Sequence, residues 1–172
     1  MKKILILPGS LRAGSSSHLL INEIVSRLRG SATCKVYDGT GDLPHFNDPP
    51  DAPEQVRTFR EEISSCDLVL ICTPEYAFGV PGTLKNALDW TVGSGEFVSK
   101  PVALVTASSD GRRGHKALLD ILTAISAELR PETTALISGI RARFDSAGKI
   151  KDTELRQIMD TFSAAILERL EQ

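Results

Sequence analysis

Five short strand-like runs recur along this chain, each separated from the next by a stretch whose apolar residues return every third or fourth position. The runs are Ile4 to Leu7, Thr33 to Tyr37, Leu68 to Cys72, Pro101 to Thr106 and Thr134 to Ile137. Between them Ile21, Ile24, Val25 and Leu28 share one helical face, and Val56, Phe59 and Ile63 share another after the start signals Pro53 and Glu54. Leu84 and Leu88 mark a third helix. Leu118, Ile121 or Leu122, Ile125 and Leu129 predict a long fourth helix that Pro131 breaks, and Leu155, Ile158, Phe162, Ile166 and Leu170 a closing one. Strands that alternate with helices pair in parallel through right-handed crossovers. The expectation is an α/β protein, a doubly wound five-stranded parallel sheet of order 2-1-3-4-5 in a single domain over residues 1–172. A six-stranded dinucleotide arrangement is disfavoured, because neither a sixth strand nor a GxGxxG turn is present.

In that order the chain reverses direction between strands one and three, and ligands of open α/β sheets sit at the carboxyl ends of the strands there. Two unusual loops leave those ends. Gly9-Ser10-Leu11-Arg12-Ala13-Gly14-Ser15-Ser16-Ser17 follows the first strand. Hydroxyls from Ser10, Ser15 and Ser17, the Arg12 guanidinium and the free amides of a helix start suit a monoester phosphate; a serine-capped turn that binds nothing has the same composition. His18 is either a further phosphate donor or a solvent-facing first-turn side chain. The second loop, Pro74-Glu75-Tyr76-Ala77-Phe78-Gly79-Val80-Pro81-Gly82, combines fixed φ at its prolines with close backbone approach at its glycines, which makes a stiff platform for a flat ligand.

The charge of -2 and the absence of like-charge blocks give no electrostatic case for nucleic acid or a membrane surface as partner. Cys34, Cys66 and Cys72 form no CxxC pair and read as reduced core thiols of a cytoplasmic protein. None of His18, His45 or His115 has metal-ligand spacing, and no GxSxG elbow accompanies a Ser-His-Asp set. A phosphate cradle beside a flat platform, without an evident acid, base or nucleophile, assigns the chemistry to a bound cofactor.

Gly9-Ser10-Leu11-Arg12 with Ser15, then Pro74-Glu75-Tyr76, Val80-Pro81-Gly82 and Leu84-Lys85-Asn86-Ala87-Leu88-Asp89-Trp90, make the chain similar to the NAD(P)H-dependent FMN reductases of the flavodoxin-like superfamily. Quinone, chromate and azo-compound reductases belong to the same group. Leu43-Pro44, Gly95-Glu96-Phe97 with Lys100-Pro101, and Ser108 to Gly114 extend the resemblance over nearly the whole chain. It implies a flavodoxin-like fold, FMN as cofactor, NADPH or NADH as co-substrate and a small-molecule electron acceptor. It places Ser10, Arg12, Ser15 and Ser17, with Ser16 and His18 beside them, at the FMN phosphate. Pro74, Glu75, Tyr76 and Ala77 would line the isoalloxazine, and Ser108, Asp110 and Gly111 would close its other edge. Ser17 and Ala77 each stand where the family usually carries Asn. The resemblance also implies a homodimer or homotetramer, with Phe78, Trp90 and Phe97 as contact residues; the alternative for Trp90 is intramolecular core. Arg112 and Arg113 stand where a basic side chain could meet a 2′-phosphate.

Two rival readings share the strand order. A one-electron flavodoxin would carry stronger acidity for steering than a charge of -2 supplies. A receiver module needs acidic residues where Pro8-Gly9-Ser10 and Thr73-Pro74-Glu75 stand.

Overall fold

The computed structural model describes all residues, Met1–Gln172. Its elements follow the order β1 (Lys2–Pro8), α1 (Ser16–Leu28), β2 (Ala32–Val36), α2 (Glu54–Ser65), β3 (Leu68–Thr73), α3 (Gly82–Asp89), β4 (Pro101–Ala107), α4 (Arg112–Ala124), β5 (Glu128–Ile137) and α5 (Thr153–Glu171). Short 3-10 turns lie at Gly39–Asp42 and Ile140–Arg143. The sheet order is β2-β1-β3-β4-β5 with every pairing parallel, as the alternating pattern predicts.

Successive residues of a strand face opposite sides, so a strand covered on both faces must be apolar throughout. β3 is buried at all six positions. On one face Ile4, Ile6, Leu68, Leu70, Ala103 and Val105 pack with α1 and α5 residues such as Leu20, Ile24, Phe162 and Ile166. On the other, Leu5, Leu7, Val69, Ile71, Val102 and Leu104 pack with α2, α3 and α4 through Phe59, Leu84 and Leu118. Two independent cores thus clamp the central strands and hold their carboxyl ends level.

The fourth helix and fifth strand differ from expectation. α4 stops at Ala124, and Leu129 is a strand residue paired with Val102. Ser126 turns the chain with φ of 60°. Pro131 lies inside β5 and does not precede it. An edge strand tolerates this proline because its missing N–H coincides with a register shift: between the Val102–Leu129 and Leu104–Thr134 pairs, β4 advances two residues and β5 five. The buried Arg169 of α5 fills the irregularity, donating to Val102 O at 2.8 Å, Thr133 Oγ1 at 2.9 Å and Glu128 O at 2.5 Å.

Trp90 and Phe97, expected at a subunit contact, are instead core residues, 1% and 0% exposed. Trp90 Nε1 donates to Pro44 O at 2.8 Å and its ring meets Phe46 edge-on, centroids 5.1 Å apart. Asn86 secures the same loop, accepting from Phe46 N at 2.9 Å and donating to Pro44 O at 3.0 Å. The Asn86 and Trp90 of the α3 segment therefore hold Leu43–Phe46 in place. No helix is long and apolar enough to cross a membrane, and all three cysteines are free.

Candidate functional site

The loops after β1, β3, β4 and β5 enclose a polar cleft of about 210 Å³ at the carboxyl end of the sheet. Arg12, Ser15, Ser16 and Ser17 form one wall and Pro74, Glu75 and Tyr76 a second; the same cleft is lined by Ala107, Ser108, Ser109, Ile140 and Arg141. Eight of the thirteen residues expected at a cofactor site therefore share one cavity.

The first wall is built by a capped helix start. Ser15 is the N-cap of α1, its hydroxyl accepting from His18 N. The amides of Ser16 and Ser17 lie in the first turn, where no intrahelical acceptor exists. The helix dipole adds partial positive charge at that end. Behind it Cys72 donates its S–H to Ser17 O at 3.4 Å; burial pushes this thiol's pKa up to about 12, so it is an inert packing group.

The second wall is braced from two sides. Glu75 Oε2 accepts from Gly114 N at 2.6 Å, a carboxylate set at the start of α4. A Cβ on Gly114 would lie 3.0 Å from Glu75 Cγ and 3.1 Å from Gly79 O, so a glycine allows the helix to close on the loop. Tyr76 and Gly79 exchange backbone hydrogen bonds of 3.0 and 2.9 Å around Ala77 and Phe78, both at positive φ, 49° and 62°. That is the φ signature of a tight type I′ turn, here made without glycine or asparagine at its centre. The Tyr76 hydroxyl meets Ser10 Oγ at 3.2 Å and links the two walls. Gly9 permits their approach, since a Cβ there would lie 2.0 Å from Thr73 Oγ1.

Five expected residues do not line the cleft. Ser10 is buried behind it as the Tyr76 partner. His18 is turned to the cap, with Nδ1 2.8 Å from Ser15 Oγ, because the capping serine is one helical turn away. Ala77 is exposed on the outer turn. Asp110 pairs with Arg112 Nε at 2.7 Å, and Gly111 caps α4 in the left-handed conformation. Arg113 stacks on Phe78, 4.5 Å from the ring centroid, so both arginines considered for a 2′-phosphate have a local partner. Ala107, Ser109, Ile140 and Arg141 were not expected. The signal available for Arg141 was its place just past the carboxyl end of the last strand, in a Gly-Ile-Arg-Ala-Arg turn.

The donor set suits a phosphate dianion. Serine hydroxyls, open amides and Arg12 converge, no carboxylate pairs with Arg12, and the one acid in the cleft, Glu75, is already engaged by Gly114 N. No group of three His, Cys, Asp or Glu side chains could hold a metal ion. His115, on α4, has Nδ1 2.8 Å from Thr106 Oγ1, and burial lowers its pKa below 6.5.

The family described as NADPH-dependent FMN reductase matches residues 2–140. An NAD(P)H-dependent FMN reductase of Pseudomonas aeruginosa is 31% identical over 91% of this chain and 89% of its own length. A 2-hydroxy-1,4-benzoquinone reductase of Burkholderia is 32% identical over 93% and 91%. Among solved structures, the flavoenzyme NAD(P)H:(acceptor) oxidoreductase FerB of Paracoccus denitrificans superposes with a TM-score of 0.80, is 27% identical, and is covered over 98% of its length by 99% of this chain.

Proposed function

The chain belongs to the NADPH-dependent FMN reductase family, and from that premise we propose that its cleft holds FMN with the phosphate at Arg12 and Ser15 to Ser17 and the ring against Pro74 to Tyr76. The activity is that of an NAD(P)H-dependent FMN oxidoreductase. One observation carries the placement: a donor-rich helix start and a braced, flat loop face a common cavity. Bound there, FMN would supply the redox chemistry, two-electron transfer between a nicotinamide and an acceptor.

The protein's part is to bind and orient. Arg12 would meet one of the phosphate charges while Ser15, Ser16 and Ser17 would donate hydrogen bonds to it, and the Glu75–Gly114 bond fixes the platform loop. The Ser10–Tyr76 contact holds the two subsites in register.

The acceptor we favour is a small quinone, the substrate class named for the Burkholderia relative. Anaerobic titration of the FMN-loaded protein with NADPH tests the reading. Loss of the oxidised flavin absorbance at one equivalent, restored by benzoquinone, supports it. Bound FMN that NADPH leaves unbleached moves the one-electron carrier reading ahead.

The homodimer or homotetramer is part of the same proposal. Of the three aromatic contacts expected, only Phe78 is exposed, at 65%, and Val92 and Val98 are exposed after α3. Light scattering on wild type and Phe78→Asp tests it: a dimer or tetramer that dissociates in the variant supports this surface, and a wild-type monomer refutes it.

A further inference from the structure

Two arginines stand in the 3-10 turn after β5, and the fold treats them oppositely. Arg143 Nη1 lies 3.1 Å from both Asp152 Oδ1 and Glu154 Oε2, so its charge is matched. Arg141 is exposed, has no carboxylate partner and lines the cleft. It is also the first residue beyond the stretch that matches the family.

The turn is not free to wander. Gly139 N donates to Ser109 O at 3.0 Å and Ile140 N to Ser108 O at 3.3 Å, while Ser138 Oγ donates to Asp110 O at 2.6 Å. The loop after β5 is thereby stitched to the loop after β4. Ile140, 2% exposed, belongs to the core on the α1 and α5 face of the sheet. The hairpin that follows touches α1 as well, since a Cβ on Gly148 would lie 3.0 Å from Leu19 Cδ2. Arg141 therefore sits on the same side of the sheet as the start of α1, where the phosphate is placed, and away from the face that carries α3 and α4.

We propose that Arg141 is the second guanidinium of the phosphate cradle, joining Arg12, and that it makes this chain select phosphorylated over unphosphorylated flavin. The inference rests on the FMN reading of the cleft and adds to it a residue from a fourth loop. A phosphate dianion between two guanidiniums is neutralised, whereas with Arg12 alone one charge is left to hydroxyls and amides. Riboflavin, which differs from FMN only in lacking the phosphate, gains nothing from Arg141.

The experiment is a fluorescence-quenching titration of the apoprotein with FMN and with riboflavin, for wild type, Arg141→Gln and Arg141→Lys. The expected result is a loss of FMN affinity of about tenfold to a hundredfold in Arg141→Gln, the size of one charge-assisted hydrogen bond. Riboflavin affinity stays unchanged, and Arg141→Lys recovers part of the loss. Wild-type FMN affinity in Arg141→Gln overturns the proposal, as does an equal loss for FMN and riboflavin, which signals a structural role. Failure of the wild type to bind FMN overturns the cofactor reading and this inference with it, so the two failures are distinguishable.

Discussion

Replacement of Ala77 by glycine will make the protein more stable. Ala77 and Phe78 occupy the centre of the two-residue turn in the platform loop at φ of 49° and 62°. For an L-residue this region costs about 1 to 2 kcal/mol, because Cβ crowds the following carbonyl oxygen. Ala77 is exposed, so its methyl group contributes little burial that glycine would lose. Glycine removes the steric cost but returns about 0.4 to 1 kcal/mol of chain entropy to the unfolded state. The central difference is a net gain of about 0.8 kcal/mol, or a rise in Tm of about 2 to 3 °C for a domain of this size. Asn, which tolerates the conformation, will give a similar gain. Ala77→Val adds β-branching and will lose at least about 1 kcal/mol. Urea unfolding of the apoprotein, followed through the fluorescence of its one tryptophan, checks all three. A stability order other than Gly and Asn above Ala above Val refutes the assignment of strain to this turn.

Three further outcomes are expected. Arg12→Ala will weaken FMN binding by about 1.5 to 3 kcal/mol, measured by fluorescence quenching, because a charge-assisted hydrogen bond to phosphate is lost; unchanged affinity would place the phosphate elsewhere. Trp90→Phe will cost about 2 kcal/mol in urea unfolding, since it removes the Nε1 donor to Pro44 O and leaves a void beside Phe46; a neutral effect would mean the loop is held by Asn86 alone. Burial holds the His115 pKa below 6.5 in the fold, so the unfolded chain takes up a proton more readily. The associated stability is complete above about 6.5 and is lost as pH falls through the folded pKa. His115→Gln will flatten that part of the stability profile, and an unaltered profile would remove His115 from it.

Most of the architecture was legible because both faces of the sheet are covered. A run such as Leu68 to Cys72 must then be apolar throughout, and the helices between the runs need only one apolar stripe. The boundary at β5 was not legible. Leu118, Leu122, Ile125 and Leu129 continue a helical spacing past the real end of α4, and the turn at Ser126 uses neither glycine nor proline. The cleft's first wall could be read because hydroxyls, glycine and a lone arginine cluster within one loop. Ser109 and Arg141 could not, since they reach the cleft only through the stitching of the loops after β4 and β5. Trp90 and Phe97 were misplaced for a related reason: an aromatic in a loop or helix end looks alike whether it covers a partner or its own chain, and only the packing decides it, with the Pro44 carbonyl as the partner of Trp90.

The irregular stretch of β5 also bears on how this sheet ends. β5 is one outer strand, and an outer strand ordinarily offers a ladder of unpaired amides and carbonyls on which another chain can add. Here Pro131 offers no amide, and the slipped residues around it interrupt the even spacing that an added strand would need. The opposite margin, β2, is only five residues long and carries the exposed Lys35–Glu62 ion pair beside it. Neither border is a good template, so copies of this chain that meet while folding are discouraged from joining edge to edge into fibrous aggregates.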